Sequence, residues 1–526
     1  MKLRQKRKQS QTPFSHTVEE QSPAGSSVAG AVTKGALWMI FARLADRSLG
    51  VVSTLILVRL LSPADFGLVA MGMSIIAVCE LFGQMGLDVA LIQNPNAARR
   101  HYDTAWTFGV MNSIVTAVIL VLLVVPAASF YNEPRLLPIV FALAVGAIIS
   151  GFENIGVVAF RKELHFNKEF LFVFAKKLAG FVVTVPLAFM LRSYWALVSG
   201  IVVGRLASVC LSYYVQEYRP RFSFAARREL FHFSKWMVIC NFVNAANSRG
   251  ADFIIGKIAG AHALGVFNVS YELSNLPTSE LIAPINRAVF PGYARKSTDA
   301  AELRQGYLSV IGIIAAFGAP AGVGIAATAD VIVPLVFGQQ WTEAVPLVAI
   351  LALYGVIAAM KTNAHYIYLA LGRPKVAAGL GVVQITLLLP SLIFLCMRYG
   401  VVGAAWAYLV SQAVFTPLSF WTLFKILDVK LGQLLQVLWR PVVAATFMFA
   451  LVRFVLPSSP FEAINSSSAL AHLIRAVITG AAAYISSLYG LWLLSARPVG
   501  AESWILGVVQ STTFRLQGKV ATAFGR

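Results

Sequence analysis

The chain has 526 residues, 58% of them hydrophobic and only 13% charged, with a mean hydropathy of +0.73; soluble domains carry about 25% charged residues, so the composition sets a water-soluble fold aside. The formal net charge is +20, but Lys and Arg gather in alternate connecting loops, a distribution that suits membrane topology and not a nucleic-acid surface. Cys79, Cys210, Cys240 and Cys396 fall inside apolar stretches without metal-ligand spacing, which leaves no basis for a disulfide framework or a zinc site.

Residues 1–35 open with MKLRQKRKQS and continue as a Gln-, Ser-, Pro- and Gly-rich run. They lack the apolar region and cleavage site of a secretory signal and read as a disordered cytoplasmic tail. Beyond them, apolar stretches of about 20 to 27 residues start near 36, 66, 104, 136, 170, 194, 236, 264, 307, 344, 376, 401, 437 and 471. The stretches are continuous and not alternating, so the expected class is an all-α membrane protein with about 14 transmembrane helices, not a barrel. Basic loops follow the even-numbered spans: Arg99 and Arg100; Arg161, Lys162 and Lys168; Arg219, Arg221, Arg227 and Arg228; Arg295, Lys296 and Arg304; Arg373 and Lys375. By the positive-inside rule both termini are expected in the cytoplasm. No loop is long enough to hold a soluble catalytic domain, and no Gly-rich phosphate loop is present, so neither an enzyme nor an ATPase is expected.

Residues 38–90 align without a gap onto 236–288: Trp38 meets Trp236, Met39 Met237, Ile56 Ile254, Arg59 Lys257, Gly67 Gly265 and Ala90 Ala288. A weaker echo pairs YWALVSG at 194–200 with VGAAWAYLVSQ at 402–412. An even number of helices per repeat brings both copies into the membrane from the same side, hence two pseudo-twofold six-helix lobes plus two C-terminal helices. The expected boundaries are 1–35 tail, 36–216 N-lobe, 236–426 C-lobe, 437–495 trailing helices and 496–526 cytoplasmic tail, with cargo handled between the lobes. GIVVG at 200–204 reads as a close helix-packing motif.

A charge in the hydrocarbon region costs at least ~2.5 kcal/mol, so each one is expected to face protein or a wet cavity. The first span holds Arg43, Asp46 and Arg47 on one face; the second Glu80 and Asp88; the seventh Arg249 and Asp252; the eighth Glu272, Glu280 and Arg287. The ninth, eleventh, thirteenth and fourteenth are nearly free of interior charge. One reading is that Arg43 or Arg47 pairs with Asp46, and Arg249 with Asp252, only to satisfy each other. These charges do not recur in the other repeat copy, which favours a role peculiar to each lobe. Arg43, Arg47, Arg249 and Arg287 suit a phosphate-bearing cargo, since the guanidinium fork matches phosphate oxygens. Asp46, Asp252, Glu272 and Glu280 are candidates for proton or sodium coupling. Lys176, Lys177, Arg205 and Lys361 lie toward cytoplasmic ends and are expected to snorkel. His365 reads as a lone hydrogen-bonded residue.

GALWMIFARLADRSLGVVSTLILVRLLSPADFGLVAMG from Gly35 to Gly72, GLDVALIQNP at 86–95, FRKELHFNKEF at 160–170 and LGRPKVAAG at 371–379 resemble the polysaccharide transporters of the multidrug, oligosaccharidyl-lipid and polysaccharide exporter superfamily. The resemblance implies a flippase that moves undecaprenyl-pyrophosphate-linked repeat units across the bacterial inner membrane by alternating access, for exopolysaccharide or lipopolysaccharide biosynthesis. It implies a lipid-linked oligosaccharide and membrane lipid as partners, with a polymerase and co-polymerase of an export system, and no cofactor. An ion-coupled multidrug or metabolite antiporter of the same superfamily needs a more apolar cavity than the first-span arginines suggest. A membrane polysaccharide polymerase or glycosyltransferase needs a sizeable external or carboxylate-bearing loop, and none is visible.

Overall fold

The computed structural model describes residues 45–81, 87–94, 96–163, 165–296, 299–455 and 466–496. Arg43, Trp38, Met39 and both tails lie outside the described residues. Within them the chain forms helices and no strand, as bilayer chemistry demands: with no water in the hydrocarbon core, backbone N–H and C=O groups must pair within each spanning segment.

The helices divide between two compact units, Met1–Phe253 and Ile254–Arg526. The first holds α1 (45–60), α2 (Pro63–Leu81), α3 (Leu87–Gln93), α4 (Arg99–Tyr131), α5 (Leu136–Gly151), α6 (Val158–Lys162), α7 (Phe166–Leu191), α8 (Trp195–Val215) and the first half of α9 (Arg227–Pro277). The second holds the rest of α9, α10 (Ala283–Arg295), α11 (Ala300–Val336), α12 (Ala344–Ala370), α13 (Pro374–Leu427), α14 (Leu431–Val455) and α15 (Ser466–Leu494). Among the described residues ten helices are long and apolar enough to cross a membrane, eleven if the pair Leu136–Gly151 and Ile155–Lys162, bent by 65°, forms one span. Non-helical glycines break α9 at Gly260 and α13 at Gly400, and α1 adds a further segment, which brings the helical segments close to the expected number of spans.

Gly260 (φ 82°, ψ −179°) and Gly400 (φ 60°, ψ −145°) occupy backbone regions closed to residues with a Cβ. At the 198-residue shift of the repeat, Gly260 corresponds to Ser62, in the break between α1 and α2, so the same helix–break–helix device recurs in both copies.

Packing within each unit relies on small residues, because lipid offers no hydrophobic drive for helix association. In the first unit Gly200 and Gly204 of GIVVG face Gly180 of α7, and a Cβ built on Gly200 would lie 1.7 Å from the Thr184 hydroxyl. Ala188 and Ala196, both fully buried, continue that seam. In the second unit Leu303, Tyr307, Ile311, Ile367 and Tyr368 form a core under α10–α13. Arg440 of α14, on a span expected to be nearly free of interior charge, is only 4% exposed there.

Between α9 and α10 the helix widens into a π turn at Thr278–Ile282, closed by Ala283 N–H donating to the Thr278 carbonyl. Pro284 has no N–H to give the carbonyl four residues earlier, and the wider turn absorbs the mismatch.

Gly400→Ala should destabilise the detergent-solubilised protein by about 1–3 kcal/mol, whereas Gly379→Ala, helical with open space around it, should leave it unchanged or slightly improved. Thermal melting checks both; equal melting temperatures would contradict the assigned break.

Candidate functional site

In the first unit a set of charged side chains lines two adjoining cavities of about 490 and 670 Å³. Lys177 Nζ of α7 donates to Asp46 of α1 twice, at 2.9 Å to Oδ1 and 2.6 Å to the backbone carbonyl. Arg205 Nη2 of α8 lies 3.4 Å from Glu80 Oε1 of α2. Glu153, in the bend after α5, accepts from Ser208 Oγ at 2.6 Å, and Lys176 stands 5.3 Å over the Phe172 ring. The bend is fixed by the fully buried Asn154. Its N–H donates to Ser212 Oγ, its side-chain amide donates to the Tyr218 carbonyl, and its Oδ1 accepts from Gly156 N–H. Every cation–carboxylate pair here joins different helices, so breaking one strands a partly buried charge.

Lys177 and Arg205 therefore do not snorkel to headgroups; each is held by a carboxylate. Asp46 pairs with Lys177 of α7; Arg43, one of its expected partners, lies outside the described residues. Arg47 is half-buried on α1. Arg249 and Asp252 do pair, Nη1 to Oδ2 at 3.2 Å, with the Asp252 carboxylate buried. In the second unit Glu272 of α9 and Arg287 of α10 are exposed, and Glu280 in the π turn accepts from Ser279 Oγ at 2.8 Å.

The second unit carries the cavity that sequence reasoning missed. It measures about 460 Å³, within the usual range for small-ligand sites, and α9, α10, α12, α13 and the π turn line it. Lys361, 17 residues into α12, turns inward: its ammonium donates to Gln384 Oε1 of α13 and sits 4.7 Å from the Phe415 ring centroid. Among the described residues no carboxylate lies within ion-pair reach of it. His365 stands one turn further along α12 and lines the same cavity.

The remaining polar wall is neutral: Asn275, Thr278, Ser279, Asn286, Thr362 and Ser419. Buried links fix it. Asn286 Nδ2 donates to Thr362 Oγ1 at 3.0 Å, Asn363 Nδ2 to Asn286 Oδ1 at 2.8 Å, and Tyr293 Oη to Asn363 Oδ1 at 3.1 Å. Ser274 and Thr278 hydroxyls donate to the Val348 and Gly355 carbonyls, pinning α9 to α12. The usable signal was the polar spacing 275, 278, 279, 286 on one span and 361, 362, 365 on another, which puts those residues on one face of each helix. Chemically, a single ammonium among neutral donors and acceptors suits an anionic, hydroxyl-rich ligand.

Residues 56–346 match the family described as polysaccharide biosynthesis protein. Similar curated proteins include the lipopolysaccharide biosynthesis protein WzxC of Escherichia coli, 25% identical over 416 residues (77% of this chain, 84% of that protein). The teichuronic acid biosynthesis protein TuaB of Bacillus subtilis is 25% identical over 366 residues (68% and 75%), and the succinoglycan biosynthesis transport protein ExoT of Rhizobium meliloti 22% over 432 (81% and 86%). Among solved structures, the lipid II flippase MurJ in an inward closed conformation shares the fold with a TM-score of 0.66 at 10% identity, covering 88% of this chain and all 100% of that one.

Arg205→Gln should lower the melting temperature more than the double variant Arg205→Gln/Glu80→Gln, because the single change leaves a half-buried carboxylate uncompensated. Additive losses would contradict a coupled pair.

Proposed function

This chain belongs to the polysaccharide biosynthesis protein family, and on that premise we propose that it is a flippase that moves undecaprenyl-pyrophosphate-linked oligosaccharide repeat units across the bacterial inner membrane. It works by alternating access, and its product feeds exopolysaccharide or lipopolysaccharide biosynthesis. The observation that carries this reading is the Lys361 ammonium, kept inside a membrane-spanning helix in a hydrogen-bonding cavity with no carboxylate beside it among the described residues. An unneutralised cation at that depth is expensive, and an arriving anion recovers the cost. An exporter of cationic drugs would set like charge against Lys361.

The physical problem for such a cargo is its headgroup. A pyrophosphate with attached sugars cannot leave water unless charge and hydroxyls find replacement partners. Lys361 and the neutral wall of Asn275, Ser279, Asn286 and Thr362 supply both kinds. Arg43, Arg47, Arg249 and Arg287 are the cations proposed to meet the pyrophosphate as it moves, each with a guanidinium fork suited to phosphate. Asp46, Asp252, Glu272 and Glu280 are the proposed coupling carboxylates, releasing or taking a proton or sodium ion; for Asp46 and Asp252 this would follow a shift of the Lys177 and Arg249 partners. We propose both termini in the cytoplasm, from the positive-inside rule, and a polymerase and co-polymerase that receive the product outside.

Lys361→Gln should cut translocation of a lipid-linked oligosaccharide in reconstituted vesicles by at least about tenfold, since a charge-assisted hydrogen bond is lost, while Lys361→Arg keeps most of it. Protein abundance and melting temperature should not change. Normal translocation by Lys361→Gln would remove the main support for an anionic cargo at this cavity.

A further inference from the structure

The segment 216–226, which joins α8 to α9, has no helix of its own, yet side chains hold its backbone at several points. Arg221 N–H donates to Asp103 Oδ1 at 2.9 Å, Ser223 N–H to Thr107 Oγ1 at 2.9 Å and Ala226 N–H to Thr104 Oγ1 at 3.2 Å. Within the segment, Ala225 N–H donates to Ser223 Oγ at 3.3 Å and Arg227 N–H to the Phe224 carbonyl at 3.3 Å. Tyr218 anchors the entry: its hydroxyl donates to Asp103, and its carbonyl accepts from Asn154. Burial, and next the Asp103 carboxylate, push the Tyr218 phenol well above its ordinary range, so it stays a donor at any physiological pH. At the exit, His101 Nδ1 accepts from Ala98 N–H, which leaves Nε2–H to donate to Glu229 at 2.9 Å.

The contacts describe a loop that climbs α4 and returns. Tyr218 and Arg221 meet α4 at Asp103, Phe222 packs on Trp106 at 4.9 Å between centroids, Phe224 on Phe108 at 6.0 Å, and Ala226 comes back to Thr104. With 1.5 Å of rise per residue, the tip sits roughly 10–13 Å along α4 from Arg99, where the polar opening RRHYDT gives way to the apolar run that starts at Ala105 and Trp106. Such a change from polar to apolar residues suits the level of a membrane–water interface, the usual place of tryptophan.

Two features of the tip fit that level. Phe222 and Phe224 are 68% and 47% exposed although each has an aromatic neighbour on α4. Arg221 and Arg227 flank them, both exposed, and among the described residues neither guanidinium has a partner in the protein. Irregular backbone survives at membrane depth only where the protein satisfies its polar groups, and Asp103, Thr104 and Thr107 do that for the tip.

We propose that Phe222–Ser223–Phe224 is an interfacial anchor: the two rings enter the headgroup–acyl boundary of the cytoplasmic leaflet, and the Arg221 and Arg227 guanidinium groups bind anionic phospholipid headgroups. The connection between α8 and α9 is thereby tethered to the bilayer surface, and its hold strengthens with the leaflet's negative charge. The function proposed above can fail without touching this inference, because no cargo is involved.

The full-length protein in nanodiscs of phosphatidylcholine, alone or with about 30% phosphatidylglycerol to mimic an anionic leaflet, provides the test. A benzophenone side chain at position 222 should form an adduct with phospholipid on irradiation. Phosphatidylglycerol should raise the melting temperature of the native chain, and Arg221→Gln/Arg227→Gln should lose that rise while melting unchanged in phosphatidylcholine. A tip that crosslinks only to protein or to water-borne quencher, a melting temperature indifferent to phosphatidylglycerol, or a double variant that keeps the full rise would each overturn the proposal.

Discussion

A charge placed among hydrocarbon chains has to be satisfied by the protein that carries it, and that constraint organises both units. In the first unit it is met internally: Asp46 with Lys177, Glu80 with Arg205, Arg249 with Asp252, Glu153 with a serine hydroxyl. In the second, among the described residues, Lys361 is met by an amide and an aromatic face. The first arrangement neutralises charge within the unit; the second is the one proposed above to receive an anion.

The amide beside Lys361 shows how far the constraint reaches. An ammonium only donates, so Gln384 must present its oxygen, and its Nε2 then donates to Gln412 Oε1 at 3.2 Å. Gln412, 1% exposed, passes the direction on to Thr416 Oγ1 at 3.4 Å. A single cation thus fixes the polarity of a relay along α13. The tyrosine–asparagine links behind Asn286 do the same for the opposite wall, so the cavity is pre-organised and a ligand need not order it.

The spans were legible because a continuous apolar run of about 20 residues is long enough to cross a hydrocarbon core and too apolar to face water. The breaks at Gly260 and Gly400 were legible as span boundaries, since the apolar runs resume on each side of them. The charges could be counted from sequence, but not their partners: Lys177 meets Asp46 across 131 residues and Arg205 meets Glu80 across 125. Position along a helix gives depth and not direction, which is why Lys361 read as a snorkelling cation when its side chain in fact turns toward α13. Arg43 lies outside the described residues, so its role remains the one the sequence suggests.

The central claim is that the cargo's polar headgroup is received in the cavity around Lys361. A structure of the full-length protein in nanodiscs with a lipid-linked oligosaccharide bound tests it most directly. The account predicts headgroup or sugar density in hydrogen-bond contact with Lys361 Nζ and the Asn286–Thr362 wall. Cargo bound elsewhere, with that cavity dry or filled by lipid tails, would contradict it.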